Sequence, residues 1–236
     1  MSDGSNLARV AGALGERTRA SMVIELLGGE ALPVATLARA AGVAPSTATT
    51  HVARLERAGL VTVRPDGRER LVALAGHEVA EAVEALTLLT GEQEVRSLRA
   101  ADRLAAERAA RSCYDHLAGR LGVGVCDALC TAGALERGSL ALRDPAPLER
   151  LGVDVGAARS ARRALTRTCL DWSERRPHLA GGLGAALLGA LLEREWVARL
   201  PGGRALRLTP AGADGLQAVL GVDAAHLAPT HGGRAA

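Results

Sequence analysis

Aromatic and lysine side chains are almost missing from this chain. Its 236 residues include no Phe, one Tyr and two Trp, and every basic residue is Arg because no Lys occurs. Strands favour aromatic and β-branched residues, whereas Ala and Leu are the strongest helix formers. The core must therefore be built from Leu, Val and Ala, and we expect a mainly α fold with small β wings.

Other absences narrow the functional class. No apolar run reaches membrane-spanning length, and the start Met1-Ser2-Asp3-Gly4 lacks a basic segment followed by an apolar one. We expect a cytoplasmic protein with no membrane partner, whose four cysteines are thiols, metal ligands or core residues rather than a disulfide framework. No Gly-rich phosphate loop, nucleophile elbow or HExxH helix occurs, so an enzyme is not expected.

The glycines and prolines of residues 32–60 are typical of a helix-turn-helix. They predict a short helix at Val34–Ala41, a tight turn at Gly42-Val43 and a second helix that begins at Pro45. The outward faces of the second helix offer hydroxyls, an imidazole and a guanidinium to base edges and phosphates. These predicted DNA-binding side chains are Ser46, Thr47, Thr49, Thr50, His51 and Arg54.

A β-hairpin that carries arginines is predicted directly after this helix. The segment LVTVRPDGRERLVAL alternates apolar and polar residues on either side of Pro65-Asp66-Gly67. Such a wing can lie along the phosphate backbone and supply affinity without sequence information. Its predicted phosphate contacts are Arg64, Arg68 and Arg70.

The segments ALGERTRASMVIELL and LARAAGVAPSTATTHVARLERAGLV, followed by this wing, resemble the ArsR family of winged-helix repressors. The resemblance covers roughly residues 6–90. It implies a homodimeric repressor that places the second helix of the motif in the major groove and leaves DNA when a ligand binds. His51 is kept from the family pattern, but Thr50 stands where a long polar residue is common, so the base preference is not carried over.

The resemblance also implies how the dimer forms. Residues 77–90 predict a helix with Val79, Val83, Leu86 and Leu89 on one face, and in the family this helix pairs with its counterpart. Two symmetry-related recognition helices predict a pseudo-palindromic operator. We expect a DNA-binding and dimerisation domain at 1–92, an effector or dimer-support domain at 93–222 and a disordered tail at 223–236.

The positions that sense metals in many ArsR relatives carry no ligand set here. The first helix of the motif has no cysteine, and the dimer helix offers only His77, Glu78, Glu81 and Glu84, without the second His that such a site needs. Any sensing must therefore come from the second half of the chain.

The second half is predicted to be helical, with a degenerate second winged-helix-like unit. Helices are expected over 95–121, 123–135, 157–175 and 178–194, with a polar connection over 138–156. Residues 196–204 echo 60–68 at an offset of 136 (196 − 60 = 136). The preceding segment LAGGLGAALLGALLE has almost no polar side chains for bases, so this unit would be an interaction or effector module.

Two segments of the second half, RSCYDHLAGRLGV and RTCLDWSERRPHLAGGLGAAL, resemble a longer branch of ArsR-like regulators. Cys113 and His116 are expected on one helix face, and Cys169 lies shortly before His178. These four residues have the ligands of zinc, cadmium or another soft metal. They are also compatible with a Cys113–Cys169 redox switch, or with buried thiols and hydrogen-bonded histidines that have only a structural role.

Two further interpretations remain open. The stretch around Trp172 could line a pocket for an organic effector, with Trp172 as a stacking surface and an arginine as an anion partner, or it could be an exposed charged turn. The candidate pocket residues are Asp171, Trp172, Arg175 and Arg176. The leading hypothesis is an operator-binding repressor, and the alternatives are an effector-free DNA-binding protein and an enzyme that uses the winged helix as a scaffold.

Overall fold

The computed structural model describes residues 4–90 and 97–227, which belong to two compact units, Met1–Thr87 and Leu88–Ala236. The elements of the first unit are α1 Gly4–Leu14, α2 Arg17–Leu26, β1 Leu32–Pro33, α3 Val34–Ala41, α4 Pro45–Arg57, β2 Val61–Asp66, β3 Glu69–Leu74 and α5 His77–Thr87. Those of the second unit are α6 Leu98–Ala109, β4 Arg111–Cys113, β5 His116–Ala118, α7 Gly119–Thr131, α8 Ala146–Arg150, α9 Val155–Ser160, β6 Arg167–Leu170, β7 Pro177–Ala180, α10 Gly181–Glu193, β8 Val197–Arg199, β9 Leu206–Leu208, α11 Pro210–Leu220 and α12 Ala224–Leu227.

The first unit is a winged helix, as predicted. Helices α2, α3 and α4 pack together over an antiparallel sheet of order β1-β3-β2. Helix α3 ends at Gly42, whose positive φ of 68° lets the chain turn, and α4 begins at Pro45, whose fixed φ suits a first helical turn. Fully buried Met22, Leu37 and Leu55 form the core.

The second unit is built around two β-hairpins, each followed by a helix. The first half of this duplicated arrangement consists of β4, β5 and α7, and the second half consists of β6, β7 and α10. The helix of each half also packs on the hairpin of the other half: α7 contacts β7, and α10 contacts β5. The hairpin β8-β9 follows α10 at the place where the echo of the first wing predicts one.

Several helices predicted in the second half are wrong in type or length. The expected helix over 95–121 ends at Ala109 and is followed by β4 and β5, and the expected helix over 157–175 is only α9 followed by β6. Residues 177–180 are a strand rather than the start of a helix. Strands β4 and β5 are buried at every position, so they lack the alternation that identifies a strand in a sequence.

The predicted disordered tail is also partly wrong. Residues 224–227 form α12, and the Leu227 carbonyl accepts a hydrogen bond of 3.2 Å from Nε of Arg120. Residues 228–236 lie outside the described part of the chain, as do residues 91–96 around the predicted domain boundary at 92. Among the helices of residues 4–90 and 97–227, none is long and apolar enough to cross a membrane.

Candidate DNA-binding surface and candidate metal centre

Helix α4 exposes most of the side chains that the sequence assigns to DNA binding. Ala48, Val52 and Leu55 are buried on its inner face. All but one of the predicted groove residues on its outer faces are exposed, namely Ser46, Thr47, Thr49, Thr50 and Arg54. The exception is His51, which is half-buried. The hydroxyls of Thr49 and Thr50 donate to backbone carbonyls one turn earlier, so their oxygens are available as acceptors.

The exception, His51, is held by the scaffold. Its Nδ1 lies 3.4 Å from a carboxylate oxygen of Glu16 and 3.5 Å from a guanidinium nitrogen of Arg19, and its side chain is 17% exposed. Glu16 caps α2 by accepting hydrogen bonds from the backbone amides of Thr18 and Arg19. The bond from the Thr18 amide makes the largest contribution to lowering the pKa of Glu16 to about 2. His51 therefore ties α4 to the start of α2.

The wing presents its arginines to solvent. Strands β2 and β3 pair from Val61↔Leu74 to Asp66↔Glu69, and Gly67 in the turn has a φ of 58°. The three predicted phosphate contacts are all exposed: Arg64, Arg68 and Arg70. An exposed helix of hydroxyls beside a basic hairpin is the surface that a winged-helix protein offers to duplex DNA.

A second candidate site lies within the second unit, where four metal-ligating side chains converge. One ligand atom from each of Cys113, His116, Cys169 and His178 lies within 4.8 Å of every other. The two Sγ atoms are 3.9 Å apart, and the two imidazole rings stack with their centroids separated by 5.0 Å. Cys169 is half-buried and the other three are buried, so the cluster reaches the surface on the side of Cys169.

The cluster arises from two copies of one structural unit, a feature that the sequence reasoning missed. Cys113 pairs with His116 across the first hairpin, and Cys169 pairs with His178 across the second. The first pair is thus placed by a tight turn and not by one face of a helix, as had been expected. The repeated pattern Arg-Ser/Thr-Cys-x-Asp, followed by His-Leu-Ala-Gly-x-Leu-Gly, occurs at 111–122 and 167–184 and could have revealed the duplication.

The repeated glycines follow from the backbone geometry of the two halves. Gly119 and Gly181 begin the two helices with φ of 77° and 82°, a conformation that side chains disfavour. Three residues further on, a Cβ on Gly122 would lie 2.5 Å from the carbonyl oxygen of Leu117. The equivalent Cβ on Gly184 would lie 2.5 Å from the carbonyl oxygen of Leu179, so each hairpin packs directly on its own helix.

The cluster geometry fits a tetrahedral soft-metal ion. With Zn–S bonds of about 2.3 Å, two thiolates of a tetrahedral site are separated by about 3.8 Å, which is close to the 3.9 Å between Cys113 and Cys169. Nε2 of His116 and both ring nitrogens of His178 are buried, and residues 4–90 and 97–227 provide no hydrogen-bond partner of ordinary geometry for them. Buried polar atoms of this kind are uncommon unless something binds them.

The two histidines differ in their affinity for protons. Burial opposes protonation of His116, but the charge of a Cys113 thiolate and the bond to Asp115 outweigh it and raise the pKa of His116 to about 9. Burial is also the largest influence on His178, and together with the charge of His116 it lowers the pKa of His178 to about 3. Without a metal, the cluster therefore favours a charged His116 beside a neutral His178.

A buried ion pair joins the two halves next to the cluster. Oδ2 of Asp171 accepts hydrogen bonds from a guanidinium nitrogen of Arg111 at 2.9 Å and from the backbone amide of Gly119 at 2.7 Å. Oδ1 accepts from the backbone amide and hydroxyl of Ser173 and from the amide of Glu174. Arg111 precedes Cys113 by two residues and Asp171 follows Cys169 by two, so this pair fixes both cysteine strands.

The candidate effector-pocket residues have other partners within the fold. Asp171 is fully buried in the ion pair with Arg111. The ring of Trp172 lies 4.8 Å below the guanidinium carbon of Arg111. Arg176 forms a 2.6 Å ion pair with Asp127, and the amide of Arg175 donates to the carbonyl of Asp171 in the connecting turn. These contacts support a structural turn rather than a ligand pocket.

The remaining two cysteines lie on α7. Cys126 is buried in the core of the second unit, and Cys130 packs partly buried against that core. Burial raises the pKa of Cys126 to about 12, so its thiol stays protonated. The prediction of a core position is confirmed for Cys126, whereas Cys130 lies partly buried at the edge of that core.

The fold and the surface of the first unit define a DNA-binding winged-helix protein, and comparison with known proteins agrees. A family model described as a helix-turn-helix domain matches residues 14–64. A Bacillus subtilis (strain 168) protein described as an uncharacterized HTH-type transcriptional regulator, YdfF, is 37% identical over 211 residues, which cover 88% of this chain and 93% of that protein. The chain belongs to the family of HTH-type transcriptional regulators.

Two solved structures that match this chain each cover 38% of it. HlyU from Vibrio cholerae is 27% identical and covers 38% of this chain and 97% of its own, with a TM-score of 0.35. A homodimeric winged helix-turn-helix domain from Mycobacterium bovis, described as a possible ArsR-family regulator, is 28% identical and covers 38% of this chain and 86% of its own, with a TM-score of 0.35. The predicted resemblance to helix-turn-helix regulators is confirmed, and similarity to the Bacillus protein extends into the second unit, because 211 residues exceed the length of the first.

Proposed function

We propose that the protein is a homodimeric repressor whose affinity for a pseudo-palindromic operator changes when a soft divalent metal, such as zinc or cadmium, binds to Cys113, His116, Cys169 and His178. The observation that carries the metal assignment is the convergence of these four ligand atoms within 4.8 Å. Two thiolates and two imidazoles form a ligand set that binds zinc in preference to magnesium or calcium, because those two ions take oxygen ligands.

The exposed surface of the first unit supports the DNA-binding part of the proposal. Arg54 on α4 would enter the groove, with the hydroxyls of Ser46, Thr47, Thr49 and Thr50 beside it, while the wing arginines would lie on the backbone.

Dimerisation through α1 and α5 is supported by apolar side chains that those helices leave exposed, since Leu7 is 71% and Leu86 is 49% accessible. Burying such residues in a symmetric interface would space two recognition helices for one operator.

DNA binding is tested by fluorescence anisotropy with the promoter region of the gene itself, in graded salt. The wild type should retain a sequence preference at moderate salt. Each replacement of a wing arginine by Gln should reduce the slope of log affinity against log salt by about 1. Arg54→Ala should reduce the preference for the operator over random DNA. Loss of all sequence preference at moderate salt in the wild type would overturn the repressor assignment.

Arg150→Gln is the matched control for these variants. Arg150 is exposed on α8 of the second unit, so its replacement changes the net charge by the same amount without touching the proposed DNA surface. Its salt slope should equal that of the wild type. An equal decrease in this control would show that net charge, rather than the wing, governs the binding.

Metal binding is tested by titrating the reduced full-length chain with zinc in competition with a chromogenic chelator. One ion should bind per chain, and Cys113→Ser and Cys169→Ser should each lose that binding. Cys130→Ser is the matched control, since Cys130 is a thiol of the same unit outside the cluster. Adding zinc to the operator complex should change its affinity in the wild type and in Cys130→Ser, but not in the two cluster variants.

A redox-responsive regulator is a second candidate, favoured by the 3.9 Å between the two sulfur atoms and the partial exposure of Cys169. Two thiols would form one disulfide, with their two protons and two electrons reducing one hydrogen peroxide to two waters. The sulfurs would have to approach to about 2.05 Å. Peroxide added to metal-free protein should then alter operator affinity in the wild type and not in Cys169→Ser.

If neither metal nor peroxide alters the affinity for the operator, both candidates fail. The protein would then respond to an organic effector or bind DNA without an effector.

A further inference from the structure

The turn of the first hairpin places a carboxylate against one of the cluster histidines. Asp115 lies between Cys113 and His116 in the chain, and its Oδ1 is 3.3 Å from Nδ1 of His116. Its other oxygen, Oδ2, accepts a 2.5 Å hydrogen bond from a guanidinium nitrogen of Arg163. Both oxygens of the carboxylate are therefore hydrogen-bonded, one to the imidazole of His116 and one to Arg163, which lies between α9 and β6.

This contact determines which nitrogen of His116 is available to a metal. An ionised carboxylate only accepts hydrogen bonds, so Nδ1 of the imidazole must be the donor. In the neutral ring the lone pair is then on Nε2, the buried nitrogen for which the described part of the chain provides no hydrogen-bond partner of ordinary geometry. A ligand histidine whose other nitrogen donates to a carboxylate is held in one tautomer and one ring orientation, and is a more basic ligand.

The second half of the duplicated unit does not repeat this arrangement. Its aspartate, Asp171, is separated from His178 by a six-residue connection and binds Arg111 and the Gly119 amide instead. In the first half only two residues separate Cys113 from His116, so the aspartate is next to the histidine in the chain. The two aspartates have thus diverged: one fixes the strands, and the other contacts a ligand.

We propose that Asp115, held in place by Arg163, is a positioning residue of the metal site that fixes the tautomer and ring orientation of His116 for coordination through Nε2. This inference rests on the proposed metal binding and assigns a function to a residue outside the set of four ligands. The aspartate is not one of the four candidate ligands and would act through the imidazole.

The test compares zinc and cobalt affinities of the full-length wild type with those of Asp115→Asn, measured by chelator competition. Loss of such a partner weakens metal binding by about 10- to 100-fold, and Asp115→Asn should show a loss of this size. The visible ligand-field bands of the cobalt form should also shift, because the orientation of one ligand changes. Asp115→Glu should recover part of the affinity, which a general loss of stability would not explain.

Two further variants control the experiment. Asp127→Asn removes an aspartate of the same unit that also pairs with arginines, and it should bind metal like the wild type. Arg163→Gln leaves the turn unchanged but removes the support of the carboxylate, and should weaken binding by less than Asp115→Asn does. If the wild type binds no metal, the proposed function fails. If the wild type binds metal and Asp115→Asn binds it equally well, this inference alone fails.

Discussion

The two units of the chain place their functional side chains in opposite environments. The first unit exposes the hydroxyls of α4 and the arginines of α4 and the wing to solvent, and these side chains are not part of its hydrophobic core. The second unit buries three of the four side chains of the candidate metal cluster, next to an ion pair that solvent does not reach. The DNA surface can therefore vary with little effect on folding, whereas the cluster and the fold of the second unit depend on each other.

This contrast also explains what each unit requires of its sequence. An exposed surface needs only a scaffold of the right shape, and substitutions there usually change stability by less than about 0.5 kcal/mol. A buried polar cluster requires each charged or polar group to be paired, because an unpaired one is costly.

Asp171→Ala should destabilise the second unit by about 3–5 kcal/mol, because it leaves the fully buried Arg111 without its carboxylate. Both tryptophans of the chain, Trp172 and Trp196, lie in the second unit. Their fluorescence during urea unfolding therefore reports on that unit alone. Asp66→Ala, at an exposed position of the wing, should leave the urea midpoint unchanged.

A double variant shows whether the charge itself is responsible. Replacing the pair together, as Arg111→Met with Asp171→Leu, removes both charges and keeps an apolar side chain at each position. Such replacements are often neutral or stabilising, so the double variant should be more stable than Asp171→Ala. A double variant that is as unstable as the single one would show that hydrogen bonds to Gly119 and Ser173, rather than the unpaired charge, are what the fold loses.

The glycines of the duplicated unit give a smaller effect that should be the same in both halves. Gly122→Ala and Gly184→Ala each bring a Cβ to 2.5 Å from a backbone oxygen, and overpacking of this kind costs about 1–3 kcal/mol. Urea unfolding followed by tryptophan fluorescence should show a similar decrease for both variants. A large effect in one half only would mean that the two halves, despite their shared pattern, pack differently.

Gly189→Ala is the matched control on α10. No atom of the described residues lies within 4 Å of a Cβ at Gly189, so this substitution should stabilise the helix by about 0.5–1 kcal/mol. Destabilisation by Gly189→Ala would show that α10 tolerates no added side chain, and the interpretation of Gly184 as a specific contact would lose its basis.

The sequence predicts the first unit well because its signals are local. Gly42 and Pro45 mark the turn between α3 and α4, and Pro65-Asp66-Gly67 marks the wing, so each element is bounded by the residues at its own ends. The amphipathic pattern of α4 likewise identifies its exposed face. The half-buried position of His51 was not predictable in this way, because its partner Glu16 is distant in the chain.

The second unit was predicted less well because its organisation is not local. The four side chains that their chemical types group together do converge, and their role as metal ligands stays a prediction. Cys113 and His116 were assigned to a helix because Ala- and Arg-rich segments surround them. Their two strands, β4 and β5, are buried at every position, so hydrophobic periodicity does not distinguish them from a helix. The contact of Cys113 with Cys169 depends on how two hairpins pack, which only the repeated motif indicates in the sequence.

The smallest predicted effect concerns acid and is confined to the first unit. Glu16 caps α2 in its ionised form, and its pKa falls from 4.5 to about 2 in the folded chain. A carboxyl whose pKa is lowered by folding stabilises the folded state above its unfolded pKa, and this contribution is lost as the pH falls from 4.5 towards 2. Glu16→Gln removes the contribution, so its stability should fall less than that of the wild type over this range.

The measurement uses the difference in probes between the two units. The first unit contains no tryptophan, so far-UV circular dichroism in urea reports on both units and tryptophan fluorescence on the second alone. The wild type and Glu16→Gln should differ in the dichroism transition near neutral pH, converge as the pH approaches 2, and share the same fluorescence transition throughout. Glu56→Gln, at an exposed position of α4, controls for the change in net charge. A difference between wild type and Glu16→Gln that stays constant from neutral pH to pH 2 would show that the cap stabilises α2 through its shape rather than its charge.

Because His51 contacts the same carboxylate, the uncharged variant should also hold α4 less firmly, and operator affinity at neutral pH should decrease together with the dichroism midpoint.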